Sequence, residues 1–315
     1  MPVKVAFELL SPGQRNGRLS ILIFHRVLAQ VDPLFPEEVD AARFDVICGW
    51  LRRWFNVLPL DAAVRRLRDG SLPRRAAAIT FDDGYADNHD IALPILKKHG
   101  LPSTFFIATG FLDGGCMWND TVIEAIRRCE RSELSLDEAV PGTHPLSSAS
   151  DRRGLIDRLL PAIKHLPLAE RRAAAHRVTL SCGVSPSAAL MMTSAQVQGL
   201  HRAGMQIGAH TVNHPILAVL DEQEAHAEIA QSKQRLESLI DKQVTLFAYP
   251  NGRPAKDYSA SNVDTVRRCG FDAAVSTGWG AARSSSDLYQ LPRFTPWDRA
   301  RVRFGMRLAS NLLRS

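Results

Sequence analysis

The stretch Ala78-Ile79-Thr80-Phe81-Asp82-Asp83-Gly84-Tyr85 decides the fold. The apolar run that begins at Ala76 is typical of a buried strand of a parallel sheet, and it ends at two adjacent carboxylates and a glycine. Ligands of α/β folds bind outside the carboxyl ends of the strands, so polar side chains here are candidates for a site. The alternative is a solvated turn, in which Asp and Gly are ordinary residues.

A second stretch of the sequence favours the interpretation as a site. The apolar run from Met205 to Ala209 leads directly into His210-Thr211-Val212-Asn213-His214. Histidines four residues apart lie on the same face of a helical turn, which suits two ligands of one metal ion. Two histidines and one aspartate form a three-ligand set that leaves a coordination position open for water, as catalytic metal sites do. Spacing alone does not say which aspartate binds the metal.

In this order, Thr80-Phe81-Asp82-Asp83-Gly84 and His210-Thr211-Val212-Asn213-His214 resemble the first two motifs of the polysaccharide deacetylases, carbohydrate esterase family 4 or NodB-homology domain. The resemblance implies an α/β fold, an irregular (β/α) barrel similar to a TIM barrel with about seven strands and a helical insertion. It also implies metal-dependent removal of acetyl groups from N-acetylated sugars. In that family pattern Asp83, His210 and His214 hold the metal and Asp82 is the general base.

Two further segments extend the resemblance. Tyr249-Pro250-Asn251-Gly252-Arg253 is similar to the third motif of the family, which implies that the backbone N–H of Tyr249 meets the oxyanion of the reaction. Many members carry an arginine two residues before this tyrosine, where this chain has Phe247. The last predicted strand, near Leu288 to Phe294, reads Leu-Pro-Arg where many relatives have Leu-x-His. This resembles the exopolysaccharide-type subset and makes Arg293 a candidate for the substrate cleft.

The missing histidine leaves the general acid to another residue. His25 follows the strand predicted over Leu19 to Phe24, and an aromatic residue precedes it, as in the exopolysaccharide-type subset. The resemblance therefore makes His25 the candidate that protonates the departing amine. Arginine cannot act as an acid at neutral pH, so Arg293 does not compete for this role.

The chain has 315 residues, more than the about 250 of a typical (β/α)8 barrel. We expect one deacetylase-like domain over 1–315, with the barrel mainly in 19–297. The segment from about 111 to 193 is far longer than a usual connection and predicts an insertion that caps the site. The segment 299–314 predicts a helix whose apolar side packs on the barrel, with a peripheral membrane contact as the alternative.

Composition and charge limit the class of protein and its partners. With 45% hydrophobic and 23% charged residues, the chain is typical of a soluble globular protein. The net charge of +6 permits anionic partners. No nucleic-acid-binding motif accompanies the arginines, so we expect no nucleic-acid partner. Five cysteines without a Cys-x-x-Cys pair indicate reduced thiols. The sequence predicts neither a signal peptide nor a transmembrane segment, and we expect a cytoplasmic protein or one bound peripherally to a membrane.

The function that the resemblance implies is hydrolysis of the acetamide of an N-acetylated glycan or a lipid-linked sugar. The cofactor is one divalent metal ion; two histidines and a carboxylate favour zinc, while cobalt, nickel and iron fit the same donors. The metal would activate water and Asp82 would take its proton. Two alternatives stay open: an amidohydrolase of small molecules on the same fold, and a glycan-binding protein without catalysis.

Overall fold

The computed structural model describes residues 2–185, 190–296 and 298–314. Its contacts divide the chain into two compact units, where the sequence indicated one domain with an insertion. The first unit comprises Met1–Gln30, Val39–Leu112 and Met192–Ser315, and the second comprises Val31–Glu38 and Asp113–Met191. All the residues that the sequence singles out for a site belong to the first unit.

The strands of the described residues are, in chain order, β1 (Leu19–Phe24), β2 (Asn56–Val57), β3 (Ala76–Phe81), β4 (Thr104–Ile107), β5 (Glu133–Leu136), β6 (Gly142–Pro145), β7 (Gln206–Ala209), β8 (Leu246–Ala248) and β9 (Ala273–Val275). Seven of them form one parallel sheet in the order β1-β3-β4-β7-β8-β9, with β2 paired to β3. The strands β5 and β6 form a separate antiparallel pair.

The α-helices are α1 (Pro2–Leu10), α2 (Ala41–Trp54), α3 (Leu60–Arg68), α4 (Leu93–His99), α5 (Trp118–Arg128), α6 (Ala149–Lys164), α7 (Leu168–Cys182), α8 (Ser194–Arg202), α9 (Glu222–Ile240), α10 (Ala260–Arg268) and α11 (Arg301–Leu313). A π-helical segment, Asn88–Ala92, precedes α4. Short 3-10 segments lie at Gln14–Asn16, Thr109–Phe111, Leu217–Val219 and Leu288–Gln290.

The central strands explain why the two sequence motifs meet. Every residue of β1 and β3 is buried, as expected for strands covered on both faces of a parallel sheet. The strand β4 lies between β3 and β7 and pairs with both of them. Because all three strands run in the same direction, the residues that follow β3 and β7 emerge at the same edge of the sheet.

The predicted last strand near Leu288 to Phe294 is not formed as a strand. A 3-10 segment is followed by two isolated bridges, Leu291 to Val275 of β9 and Phe294 to Leu22 of β1. Pro292 lies between the bridging residues and has no N–H to donate, which interrupts a continuous ladder. The segment links the two edge strands of the curled sheet, so the predicted irregular (β/α) barrel is confirmed.

The last helix packs with its apolar stripe inward. Phe304, Leu308 and Leu312 are fully buried in the core of the first unit, whereas Val302 and Met306 on other sides of α11 are exposed. This agrees with the expectation that the apolar side of this segment covers the barrel. Among the described residues, no helix combines the length and the apolar content needed to cross a bilayer.

The second unit has a hydrophobic core of its own. The helices α5, α6 and α7 and the β5-β6 pair surround it, and its buried residues include Val122, Ile126, Leu155, Ile156 and Leu159. Arg127 of α5 binds both carboxylate oxygens of Asp32, which ties the short segment Val31–Glu38 to this unit.

Candidate active site

Asp83, His210 and His214 converge on one point at the carboxyl end of the sheet. The Oδ1 atom of Asp83 lies 3.4 Å from Nε2 of His210 and 3.4 Å from Nε2 of His214. One ligand atom from each of the three residues lies within 4.8 Å of the other two. Donors at about 2.0–2.1 Å from a tetrahedral zinc ion are about 3.4 Å apart, so both carboxylate-imidazole distances fit such a site.

Two details of the hydrogen bonding fit a cluster that could hold a cation. Asp83 Oδ1 is buried and has no hydrogen-bond partner, although a buried carboxylate oxygen normally has one. The Nδ1 of His210 lies 2.7 Å from the carbonyl oxygen of Ala248, which can only accept, so Nδ1 carries the hydrogen. The lone pair of His210 is therefore on Nε2, which faces Asp83.

The histidine segment is not the helical turn that the spacing predicted. Thr211 and His214 have φ angles of 63° and 51°, in the left-handed region, and Asp83 has a φ of 77°. Such conformations are unfavourable for residues with a side chain, so surrounding hydrogen bonds must hold them. One of these bonds is local: the backbone N–H of His214 donates to Oγ1 of Thr211 at 3.1 Å. The two histidines reach one site through a strained loop.

Glu228 of α9 holds the same loop from outside. Its Oε2 accepts the backbone N–H groups of Val212 and Asn213 at 2.9 and 2.8 Å, and its Oε1 accepts the Asn213 side-chain amide at 2.6 Å. On the other side, the N–H of Gly110 donates to the carbonyl of Val212 at 2.7 Å. The sequence does not single out Glu228, because a glutamate on an amphipathic helix carries no motif of its own.

Asp82, the neighbour of Asp83, is bound by Arg293. Nη1 and Nη2 of Arg293 lie 2.7 Å from Oδ1 and Oδ2 of Asp82, and Nε donates to the carbonyl of Ser276 at 2.8 Å. Asp82 is 2% exposed and Arg293 1%. Burial raises the pKa of Asp82, but the charge of Arg293, followed by that of His210, outweighs it and holds that pKa below its usual value.

This pairing corrects the expectation that Arg293 lines the substrate cleft, because a side chain buried so completely has no surface to offer a glycan. It also accounts for Phe247, which stands where many relatives have an arginine. Phe247 is buried in the apolar core, and the guanidinium that meets the aspartate comes from the closing segment instead.

The expected role of the Tyr249 amide is also corrected. Its N–H donates to the carbonyl of Val275 at 3.2 Å, as part of the pairing between β8 and β9, so it is not free for an oxyanion. The hydroxyl of Tyr249 donates to the carbonyl of Tyr289 at 3.0 Å. The ring is buried and stacks on Tyr258 with 3.8 Å between centroids. Tyr249 is therefore a core residue behind the site.

His25 lies at the same end of the sheet and is exposed. Phe24 pairs with Phe81 in the β1-β3 register, so the residues that follow them, His25 and Asp82, leave neighbouring strands side by side. The positive charge of a protonated His25 contributes to lowering the pKa of Asp82 and of Asp83. His25 thus lies near both aspartates at the carboxyl end of the sheet.

Asp87 and Asn88 hold the segment that carries His25. Asn88 donates its side-chain N–H to the carbonyl of His25 at 2.8 Å. Asp87 accepts the N–H of Val27 at 3.1 Å and the Nε of Arg26 at 2.8 Å. Burial raises the pKa of Asp87, against the charge of Arg26. The chain that follows the Asp82-Asp83 pair therefore also orders the turn after β1.

The environment adjusts the protonation of the candidate ligands. Burial raises the pKa of Asp83, but the contact with His210 and the charge of His214 outweigh it, so that pKa lies far below its usual range. Burial lowers the pKa of His214 to about 4. Burial also lowers the pKa of His210, but the two carboxylates beside it raise that pKa overall. A charged Asp83 and a neutral His214 are the forms that bind a metal.

The chain resembles known deacetylases. The sequence model of the family described as polysaccharide deacetylase matches residues 69–136 and 169–274, more than half of the chain; His25 and Arg293 lie outside these ranges. The protein YxkH of Bacillus subtilis (strain 168) is 21% identical over 282 residues, which are 89% of this chain and 72% of that protein.

Two further comparisons concern a second curated protein and a solved structure. A poly-beta-1,6-N-acetyl-D-glucosamine N-deacetylase of Staphylococcus aureus (strain MSSA476) is 30% identical over 113 residues, 36% of this chain and only 39% of that protein. The structure of IcaB from Ammonifex degensii is similar in fold, with a TM-score of 0.61, 17% identity, and coverage of 95% of this chain and 97% of that one. By the extent of the family match, supported by the fold, the chain belongs to the polysaccharide deacetylase family.

Proposed function

We propose that this deacetylase is a metal-dependent hydrolase that removes N-acetyl groups from an amino-sugar glycan or a glycan precursor. The observation that supports this most strongly is the placement of the Arg293-bound carboxylate of Asp82 directly beside the cluster of Asp83, His210 and His214. The carboxylate of Asp82 is kept charged by Arg293, as a base must be. The carboxylate of Asp83 has a buried oxygen without a hydrogen-bond partner, and this oxygen faces two imidazoles.

Asp82 would accept the proton of the attacking water. Its two oxygens bind Arg293, but a carboxylate has about four acceptor positions, so lone pairs stay available for the water. The bidentate contact fixes the plane of the carboxylate and keeps it ionised. General base catalysis by a positioned carboxylate typically contributes about 10²- to 10⁴-fold in rate.

Asp83, His210 and His214 would hold the divalent ion. When bound, such an ion acts as a Lewis acid toward the carbonyl oxygen and lowers the pKa of water. The donor set favours zinc, the observed distances are compatible with it, and cobalt, nickel and iron accept the same donors. His25, near both aspartates, would donate a proton to the nitrogen of the departing amine.

The substrate class is proposed from the relatives. The aligned protein of Staphylococcus aureus is named for poly-beta-1,6-N-acetyl-D-glucosamine, and we propose an N-acetylated glycan of this exopolysaccharide kind for this chain. A lipid-linked N-acetylated sugar is the second candidate, because it presents the same acetamide.

The test is acetate release from oligomers of β-1,6-linked N-acetylglucosamine, measured before and after removal of metal with a chelator and after return of zinc, cobalt, nickel or iron. We expect release that is lost on chelation and restored by at least one ion. Release that chelation leaves unchanged would contradict the metal-dependent mechanism. Activity on small acetamides but on no glycan would favour a small-molecule amidohydrolase, and a metal-loaded protein that binds glycan without releasing acetate would favour a binding protein.

A further inference from the structure

A pocket lies at the opposite end of β1 from the candidate active site. It has a volume of about 380 Å³, within the ~300–1,000 Å³ range of small-molecule sites. Arg18 precedes the first residue of β1, and His25 follows the last, so the strand separates the two sites by about 20 Å. The lining residues come from the end of α1, the segment that follows it and the segment after β9: Leu9, Leu10, Pro12, Arg15, Asn16, Gly17, Arg18, Arg283, Ser284 and Ser285.

The pocket carries three arginines and no carboxylate. In the part of the chain that the structure describes, Arg15, Arg18 and Arg283 form no ion pair with an aspartate or glutamate, whereas Arg65 pairs with Asp61 at 2.8 Å. The Nε of Arg283 is buried and has no hydrogen-bond partner. A buried charged donor without an acceptor is unfavourable, and an anion bound in the pocket would offset the uncompensated positive charge of this guanidinium.

The backbone forces two of these arginines together. Leu19 and Ala282 exchange two hydrogen bonds of 2.9 Å as an antiparallel bridge. The next residues outward, Arg18 and Arg283, are therefore directly opposite each other, and like charges in such a pair repel. Burial, and then the charge of Arg283, lower the pKa of Arg18. Arg18 is fixed there by a hydrogen bond from Nη1 to the carbonyl of Leu312 at 2.8 Å, so it cannot simply turn away.

We propose that this pocket binds a phosphate group. Guanidinium groups bind phosphate through paired N–H donors, and three positive charges match a phosphate monoester better than a singly charged carboxylate. Asn16, Ser284 and Ser285 add neutral polar groups to the lining.

The pocket is larger than a phosphate ion alone needs, and Leu9, Leu10 and Pro12 give it an apolar side for the group that carries the phosphate. That group is either a soluble phosphate ester or a lipid headgroup. Leu9 is 78% exposed, and Val5, one turn earlier on α1, is 52% exposed, so apolar side chains adjoin the pocket where a lipid would place its tails.

The experiment compares the full chain with a double variant, Arg15→Gln and Arg283→Gln, which keeps the hydrogen bond of Arg18 to Leu312. A matched control carries Arg65→Gln and Arg268→Gln, which remove the same charge from arginines that pair with Asp61 and Glu222. Binding of glycerol 3-phosphate is measured by calorimetry, and binding to phosphatidylcholine vesicles with and without phosphatidic acid by sedimentation. Thermal unfolding confirms that each variant is folded.

We expect the control to bind like the unchanged chain and the pocket variant to lose at least tenfold in affinity. A loss with glycerol 3-phosphate indicates a soluble ester, and a loss only with phosphatidic acid vesicles indicates a lipid headgroup; either outcome supports the proposal. Equal binding by the pocket variant and the control, or no binding of either probe by the unchanged chain, would overturn it. The readout is independent of deacetylation, so failure here leaves the proposed catalytic function standing.

Discussion

Arg293 and Asp82 form a buried bidentate ion pair, with both N–O distances at 2.7 Å, between residues that are 211 positions apart in the chain. The pair joins the segment that closes the barrel to the carboxylate proposed as the base. The pair therefore links the packing of this segment to the ionisation of Asp82, because the charge of Arg293 opposes the effect of burial on the pKa of Asp82.

Replacing Arg293 by Gln should shift the pH dependence of catalysis. Burial then acts on Asp82 without the charge of Arg293, the largest of the opposing effects, so the pKa of Asp82 rises. A general base must be ionised, so the acid limb of the kcat/KM profile should move to higher pH. The profile of acetate release against pH measures this.

The same variant should lower the free energy of unfolding by about 3–5 kcal/mol, since one partner of a buried pair is removed. Denaturant unfolding measures that loss, and Arg267→Gln, which breaks an exposed pair with Asp264, serves as the control. An acid limb that stays in place in a folded Arg293→Gln protein would show that Arg293 does not set the ionisation of the base.

Glu228→Gln should weaken metal binding although Glu228 touches none of the proposed ligands. The negative charge that accepts the N–H groups of Val212 and Asn213 is lost. The hydrogen bonds that hold the strained loop before His214 are therefore weaker. Loss of such supporting contacts typically costs about 10- to 100-fold in metal affinity. Competition for zinc against a chromophoric chelator measures it.

The matched control for this prediction is Glu222→Gln on the same helix, whose carboxylate pairs with Arg268 at the surface. The control should bind zinc like the unchanged chain. If Glu228→Gln also binds zinc unchanged, the loop geometry does not depend on this carboxylate.

His25→Ala should lower kcat by about 10²- to 10⁴-fold, the usual contribution of general acid catalysis, with metal content unchanged. The alkaline limb of the kcat profile should also flatten, because the protonated imidazole is the form that is lost as pH rises. Measurement of kcat against pH and of bound metal tests both. An unchanged alkaline limb would remove His25 from the mechanism.

The sequence predicted the parts of this molecule that depend on local pattern. Continuous apolar runs identified β1 and β3, and strand ends identified Asp82, Asp83 and His210 as candidates for one site. Strand ends were informative because parallel strands deliver their last residues to one edge of the sheet.

Contacts between distant segments could not be predicted in this way. The contact between Asp82 and Arg293 could not be predicted, because it depends on how an irregular segment bridges β9 and β1. The Tyr249 amide was misassigned because the ladder between β8 and β9 extends to the residue after the strand. Glu228 is identified only by the fold of the loop that it contacts.

The central claim is that Asp83, His210 and His214 bind the metal while Asp82 acts as the base without binding it. The most direct test is the zinc content and acetate release of Asp82→Asn, with His210→Ala as the reference for loss of a ligand. We predict that Asp82→Asn retains its metal and releases no acetate, and that His210→Ala loses both. A metal-free Asp82→Asn protein, or one that still turns over, would contradict this division of roles between the two aspartates.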